Sequence, residues 1–226
     1  VHVAPMCTEF KGFVSGDGAH GYGHEAVGEV VEIARPGKVK VGDRVVVQPG
    51  AACGRCALCA VGDFIHCENM GKAGPTMAQY LVQQDWLLTP IPEGMSYELA
   101  GLAICGLGPT FAAMESMNVS ASDTVLITGL GPVGLGGVVN ARHRGARVIG
   151  VDSNPYRTKL ALELGAEAVV DSKDAGQVGA NKSVDCAGLP ASHRVCIDAT
   201  RRRGDVAFVG WATQPTTFVA NVDLIQ

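Results

Sequence analysis

The sequence predicts an α/β protein of two parts, an irregular β-rich part followed by a doubly wound parallel sheet. Up to about residue 120, short β-branched runs are separated by glycine and proline, whereas strand-type and helix-type segments alternate after it. A glycine-rich turn also follows the first strand of the second part and opens a helix. These patterns place the two domains at residues 1–117 and 118–226.

The first part contains three predicted strands and a pair of helices. β-branched residues predict strands at 27–33, 43–47 and 77–82. Helical spacing over 96–113 is interrupted by glycines and a proline, which predicts a helix, a turn and a second helix. We therefore expect a mostly antiparallel, irregular domain.

The second part alternates predicted strands with predicted helices. The strands are expected at 124–128, 147–152, 169–170, 184–187 and 206–209, and the helices at 132–144, 155–164 and 190–202. The link between Val170 and Ser183 barely reaches the dozen or so residues that a parallel crossover needs, so its helix is expected to be reduced or lost.

The composition indicates a globular protein without a basic surface. Of the 226 residues, 47% are hydrophobic and 18% are charged, which is enough apolar sequence for a substantial core. The net charge of -4 gives no basic surface for nucleic acid or an anionic membrane. No apolar run has the length of a membrane span and the start lacks a signal-peptide pattern, so we expect a cytoplasmic location.

Residues 129–134, GLGPVG, fit the dinucleotide fingerprint G-x-G-x-x-G. They follow a β-branched strand and open a helix, which is the context that the fingerprint requires. The alternative is a glycine turn that binds no ligand. The candidate cofactor-binding residues of this turn are Gly129, Gly131, Pro132, Val133 and Gly134.

Asp152 ends the next predicted strand, where an acid accepts hydrogen bonds from the adenosine ribose hydroxyls. A carboxylate there repels a 2′-phosphate, so the sequence favours NAD over NADP. Arg157, five residues further on, is placed to flank the adenine or to weaken that preference.

Four cysteines lie close together in the first part, in the lobe 53–67. Cys53, Cys56, Cys59 and Cys67 have the spacing C-x2-C-x2-C-x7-C, which suits a closed, structural zinc site. Two local disulfides, an iron–sulfur cluster and a nucleic-acid-binding zinc ribbon are the alternatives. The reducing compartment, the missing Cys-Pro signature and the acidic balance speak against them.

Several motifs together resemble the zinc-dependent medium-chain alcohol dehydrogenase family. GHE at 23–25, GDRV at 42–45, the four-cysteine lobe and GLGPVG at 129–134 occur in the order that the family shows. The resemblance implies a GroES-like, mostly β catalytic domain joined to a Rossmann NAD-binding domain, with the active site in the cleft between them. It also implies a homodimer or homotetramer for the full-length protein.

By this resemblance, Cys7, His24 and Cys105 are the ligands of a catalytic zinc whose fourth position is open to water or substrate. Glu25 resembles the carboxylate that the family places behind the metal. Glu9 occupies the position of a family acid that orients His24 or pairs with a nearby cation.

Three further features follow from the same resemblance. Thr8 is expected to take the alcohol proton, although it directly follows Cys7, whereas the family commonly has one intervening residue. Lys11 stands where many members carry a relay histidine. Thr110 lies where the family has a threonine near the nicotinamide.

The expected activity is hydride transfer between an alcohol, or an aldehyde or ketone, and NAD, with two zinc ions per chain. Family members extend further at both ends, so the chain is expected to be a truncated one. Alternatives are a zinc- and NAD-binding protein without turnover, a polyol or threonine-type dehydrogenase, and a zinc-free relative of the quinone reductases. Cys186 and Cys196 are interpreted as packing residues.

Overall fold

The computed structural model describes residues 1–7, 9–16, 22–212 and 214–219. Its residues form two compact units, Val1–Cys105 and Gly106–Gln226. The described part of the first unit holds an antiparallel sheet, and that of the second holds a parallel sheet. The mixed α/β class predicted from the sequence is therefore confirmed.

The first unit is built around a small antiparallel sheet in the order β1-β2-β3. Its elements are α1 (Glu9–Ser15), β1 (Ala26–Glu29), β2 (Arg44–Val47), α2 (Ala57–Ala60), β3 (Leu88–Pro90) and α3 (Tyr97–Gly101). Alternate residues of β2, Val45 and Val47, face a core that also contains Ala26 and Leu88. This alternation explains why the short β-branched run forms a strand with one buried face.

The structure corrects the sequence prediction of the third strand in this unit. Residues 77–82 form bends and loop instead of a strand, and Val82 is fully exposed. The third strand is β3, which pairs Val46 with Thr89. Short apolar runs of this kind do not show by themselves which of them will find a partner strand.

The second unit is a doubly wound parallel sheet in the order β6-β5-β4-β7-β8. The strands are β4 (Thr124–Thr128), β5 (Arg147–Val151), β6 (Ala168–Val170), β7 (Ala180–Asp185) and β8 (Thr200–Phe208). The helices are α4 (Gly108–Ser116), α5 (Pro132–His143), α6 (Pro155–Glu163) and α7 (Pro190–Ala199). Val125, Ile127, Val148 and Val184 are fully buried in its core, as expected of central parallel strands.

The structure differs from the sequence prediction at the end of α7 and agrees with it between β6 and β7. Helix α7 ends at Ala199, and the arginines 201–203 lie in β8, although such a charged run carries little strand signal. Between β6 and β7 a single 3-10 turn, Ala175–Gln177, replaces a crossover helix, so the predicted reduction is confirmed.

The division between the units lies at residues 105 and 106, twelve residues before the predicted boundary. Helix α4 belongs to the second unit because it packs closely on α5. A Cβ atom at Gly136 would lie 1.8 Å from the carbonyl oxygen of Gly106. The side chain of Asn140 donates to the carbonyl oxygen of Leu107 at 2.9 Å.

Among the described residues, no helix is both long enough and apolar enough to cross a bilayer.

Candidate functional site

The structure brings four potential metal ligands together within the first unit. Ligand atoms of Cys7, His24, Glu25 and Cys105 all lie within 4.8 Å of one another. Nε2 of His24 is 2.9 Å from Sγ of Cys105 and 3.8 Å from Oε1 of Glu25. Cys7, the adjacent pair His24 and Glu25, and Cys105 lie far from one another in the sequence, so the fold creates the cluster.

The segment that carries His24 and Glu25 is held by backbone contacts just before β1. Gly23 has φ +94°, and a Cβ atom there would lie 2.5 Å from the hydroxyl of Thr76, so glycine is required. The Thr76 hydroxyl donates to the carbonyl oxygen of Glu25 at 2.7 Å. The N–H of Cys105 donates to Oε2 of Glu25 at 2.9 Å, which fixes the buried carboxylate next to the cysteine.

Glu9 orients the imidazole from the opposite side. Its Oε1 is hydrogen-bonded to Nδ1 of His24, and its Oε2 accepts the N–H of Cys7 at 3.0 Å. With Nδ1 occupied, Nε2 is the nitrogen that faces the two cysteines. A carboxylate behind a histidine in this way is the usual support of a metal-binding imidazole.

The electrostatics of this cluster favour a cation. Burial raises the pKa of Glu25, and burial together with the Glu25 carboxylate raises the pKa of the Cys105 thiol above its usual range. Burial alone would also raise the pKa of Glu9, but hydrogen bonds from backbone N–H groups and from His24 lower it. A bound Zn²⁺ would favour the ionised thiols and carboxylate.

The donor set of this cluster therefore fits zinc. Two thiols and an imidazole are typical of a catalytic zinc site, which uses three protein ligands and leaves one position open. Glu25, the fourth group within reach, is already held by the N–H of Cys105.

Replacing Glu9 by alanine is expected to weaken zinc binding at His24 by about 10- to 100-fold, because the imidazole loses its orienting carboxylate. Competition with a chromophoric chelator measures this affinity. Glu9→Asp should recover part of it, and Glu32→Ala, at an exposed acid of the same unit, should leave it unchanged. Equal zinc affinity of the Glu9→Ala variant and the unaltered chain would contradict the orienting role.

The second group of potential ligands is the four-cysteine lobe. The sulfurs of Cys53, Cys56, Cys59 and Cys67 all lie within 4.8 Å of one another, and those of Cys56 and Cys67 are 4.0 Å apart. Sulfurs bound tetrahedrally to zinc at about 2.3 Å are separated by roughly 3.8 Å, so a small closure suffices. The donor set fits a structural zinc that is closed to substrate.

Backbone N–H groups prepare these sulfurs for ionisation. The N–H groups of Cys53 and Asn69 each lie 3.3 Å from Sγ of Cys67. Backbone donors, first of all the N–H of Arg55, lower the pKa of the Cys53 thiol to about 6. Burial, together with hydrogen bonds to the neighbouring thiols, raises the pKa of Cys59 to about 12.

A small hydrophobic cluster supports the lobe. Leu87 and Ala52 are buried against the cysteines, and Trp86 packs at their edge. Gly54 lies so close to Trp86 that a Cβ atom would be 2.8 Å from the indole ring, and the indole N–H donates to the carbonyl oxygen of Ala52 at 3.3 Å. Trp86 is therefore a reporter of the state of the lobe.

The glycine turn of the second unit has the geometry that its sequence predicts. Gly129 follows β4 with φ +79°, and Pro132 opens α5 with Val133 in its first turn. A Cβ atom at Gly134 would lie 1.9 Å from the carbonyl oxygen of Gly129, so the helix start and the turn are in direct backbone contact. Gly131 is the N-cap of α5, where free N–H groups can receive a phosphate.

Asp152 joins this turn to the end of β5. Its Oδ2 accepts the N–H of Leu130 at 2.7 Å, and its Oδ1 accepts the N–H of Asn154 at 2.8 Å. Nη1 of Arg157 lies 3.8 Å from Oδ2. The acid and the arginine are thus beside the glycine turn, where the sequence analysis expects the adenosine ribose.

Of three other predicted positions, the structure describes the side chain of Thr110 alone. Thr8 lies outside the described residues, as does the side chain of Lys11. Thr110 is fully buried, donates to the carbonyl oxygen of Leu107 and accepts from Asn140. These contacts give Thr110 a packing role, and its contact with a cofactor stays a prediction.

Some residues near the sites were not predicted from the sequence. No local sequence pattern indicates that Thr76 contacts Glu25. Asp185 is fully buried at the end of β7, a strand-end position like that of Asp152, and this placement is the signal that would have found it. Cys186 and Cys196 are enclosed, and burial raises the pKa of both thiols, as their interpretation as packing residues implies.

A cavity of about 530 Å³ lies beside His24 in the first unit. Its lining includes the polar side chains of Gln48, Lys72, Thr76 and Gln83. Lys72 is the one lysine or arginine among the described residues that line it, and no acid joins them there.

Two family models match the chain. An alcohol dehydrogenase GroES-like domain covers residues 8–93, and a zinc-binding dehydrogenase domain covers residues 132–225. An uncharacterized zinc-type alcohol dehydrogenase-like protein of Escherichia coli, YphC, is 32% identical over 99% of this chain and 66% of its own length. The sorbitol dehydrogenase of Bacillus subtilis is 31% identical over 85% of this chain and 59% of its own length.

A solved structure agrees with these matches. The apo form of zinc-dependent alcohol dehydrogenase 2 from Streptococcus pneumonia is 28% identical, with a TM-score of 0.83 over 96% of this chain and 69% of the other. The chain spans only 59% to 66% of the length of the two curated relatives named above.

Proposed function

Because this chain belongs to the zinc-type medium-chain dehydrogenase family, we propose that it transfers a hydride between an alcohol or carbonyl compound and NAD. The observation that carries the proposal is the meeting of Cys7, His24 and Cys105 at one point of the first unit. Three ligands with an open fourth position suit a catalytic zinc, in contrast to the closed set of four cysteines.

Zinc at this place would supply a Lewis acid for the substrate oxygen, and the nicotinamide would supply the hydride acceptor or donor. The protein's own residues hold these groups. Glu9 fixes the ring of His24, and the N–H of Cys105 holds the Glu25 carboxylate beside the ligands. The glycine turn receives the pyrophosphate at the start of α5.

The cavity beside His24 and one of the relatives support a polyhydroxy substrate. Gln48 and Lys72 offer polar groups at a lining that they share with apolar residues such as Val47 and Leu81. Sorbitol, the substrate named for the Bacillus subtilis relative, is such a compound. We therefore favour a polyol-type substrate within the family.

The second candidate function is zinc and nucleotide binding without turnover. It uses the same two ligand clusters and the same glycine turn. Zinc analysis combined with NAD reduction on a panel of sorbitol, L-threonine, ethanol and benzyl alcohol separates the two. Two zinc ions per chain with turnover of sorbitol support the dehydrogenase, and two zinc ions without any turnover support the binding protein.

Replacing Asp152 by alanine is expected to weaken the binding of NAD by about tenfold and to narrow the difference between the affinities for NAD and NADP. The reason is that the carboxylate both accepts ribose hydroxyls and repels a 2′-phosphate. Equilibrium titration with NADH and NADPH measures the two affinities. Asp171→Ala, at an exposed acid of the same unit, is the matched control. An unchanged ratio of the two affinities would refute the assignment of Asp152.

A further inference from the structure

A buried polar network lies at the C-terminal ends of β4 and β7 and takes no part in the proposed chemistry. Its centre is Asp185, the last residue of β7, which is fully buried. Oδ1 of Asp185 accepts the hydroxyl of Thr128 at 2.8 Å, and Oδ2 accepts the N–H of Gly188 at 2.9 Å. Thr128 is the residue that immediately precedes the glycine turn. The carboxylate therefore ties the end of β4 to the turn after β7.

His193 of α7 extends this network to the segment that follows β8. Its Nε2 lies 3.2 Å from Oδ2 of Asp185 without the geometry of a hydrogen bond, and its Nδ1 shares a hydrogen bond of 2.6 Å with the hydroxyl of Thr216. His193 is only 6% exposed. The hydrogen bond to Thr216 and the close contact with Asp185 hold the buried imidazole against the chain that carries the hydroxyl.

Packing reinforces the same connection. The ring of Phe208 meets His193 edge-on with a centroid distance of 4.7 Å, and it stacks on Phe218 at 5.7 Å. A Cβ atom at Gly188 would lie 2.4 Å from the carbonyl oxygen of Trp211. The turn after β7 and the segment after β8 thus touch backbone to backbone.

The position of this network at the carboxyl ends of the strands indicates its function. From β4 the chain proceeds to β5 and β6 on one side of the sheet, and then to β7 and β8 on the other. Ligands of such sheets bind outside the carboxyl ends of the strands at this reversal point. With the pyrophosphate at the glycine turn and the adenosine ribose at Asp152 beyond β5, the remaining half of a dinucleotide extends over the ends of β7 and β8.

We propose that His193 is a positioning residue for that remaining, nicotinamide-bearing half of the dinucleotide. Through its hydrogen bond to Thr216 and its contact with Asp185, it fixes the segment around Thr216 at the place where this half lies. The inference rests on the proposed function in one respect, because it requires that a nicotinamide dinucleotide binds at the glycine turn.

The test compares two ligands on variants of the whole chain. AMP occupies the adenosine side alone, whereas NADH also reaches the ends of β7 and β8. Thr216→Val removes the hydroxyl to which His193 is hydrogen-bonded. It is expected to weaken the binding of NADH by about three- to tenfold, which corresponds to the loss of one hydrogen bond, and to leave the affinity for AMP unchanged. His193→Phe should have at least the same selective effect. Calorimetric titration measures both ligands.

Controls separate positioning from general destabilisation. Thr217→Val alters the exposed neighbour and should change neither affinity, and Thr216→Ser should restore the binding of NADH. Equal losses of NADH and AMP affinity in Thr216→Val, or no loss of either, would overturn the role of His193 while leaving the proposed function intact. An unaltered chain that binds neither ligand would overturn the proposed function, and this inference with it.

Discussion

Changing His24 to alanine is expected to remove one zinc ion per chain and to lower turnover by on the order of a thousandfold or more. The reason is geometric, since Nε2 of His24 is the nitrogen that faces the sulfurs of Cys7 and Cys105. Without it, two thiols would have to hold the metal alone, with the buried Glu25 as the remaining group within reach.

Zinc analysis and steady-state oxidation of sorbitol measure the two effects together. The four-cysteine lobe shares no ligand with His24, so the second zinc ion should remain bound. His143→Ala, at an exposed histidine of α5, is the matched control and should keep both ions and full turnover. Retention of both zinc ions by the His24→Ala variant would exclude His24 as a ligand.

Changing Cys67 to serine is expected to release the other zinc ion and to unfold the lobe. Cys67 is buried and accepts the N–H groups of both Cys53 and Asn69, so its loss removes a ligand and leaves two backbone donors without their sulfur. Zinc binding supplies on the order of 10 kcal/mol to small folds of this type. If about 3 kcal/mol of that is lost from the whole chain, the melting temperature falls by roughly 10 °C.

Fluorescence of Trp86 reports this change directly because the indole packs against the lobe. In a Trp211→Phe background, Cys67→Ser or a strong chelator should shift the Trp86 emission to longer wavelengths. Glu68→Gln, at the exposed position directly after the lobe, should leave the emission and the zinc content unchanged. An unshifted spectrum after removal of the metal would mean that hydrophobic packing alone holds the lobe together.

The parts of the fold that the sequence predicts best are those that depend on neighbouring residues. The spacing of the four cysteines and the glycines of GLGPVG are local patterns, and the structure places both groups as those patterns require. The strands β4 and β5 were also predictable, because continuous apolar runs rich in β-branched residues, such as Thr124–Thr128, are typical of buried parallel strands.

Contacts between distant residues were not predictable in the same way. Cys7 and Cys105 are separated by most of the first unit, and only the family resemblance brought them together before the structure did. The pair Asp185 and His193 carries no motif, because one acid and one histidine have no characteristic spacing. The helix α1 was missed because seven residues with a central glycine give too little periodicity.

The hydrogen bonds of Asp152 have a thermodynamic consequence for cofactor entry. Since Oδ2 already secures Leu130 and Oδ1 secures Asn154, the glycine turn is preorganised for the dinucleotide proposed above. Little conformational entropy would then be lost on association, and Oδ1, which is not the oxygen that faces Arg157, keeps a lone pair for an incoming ribose. The gain in affinity for the dinucleotide would come from the rigidity of the chain before it binds.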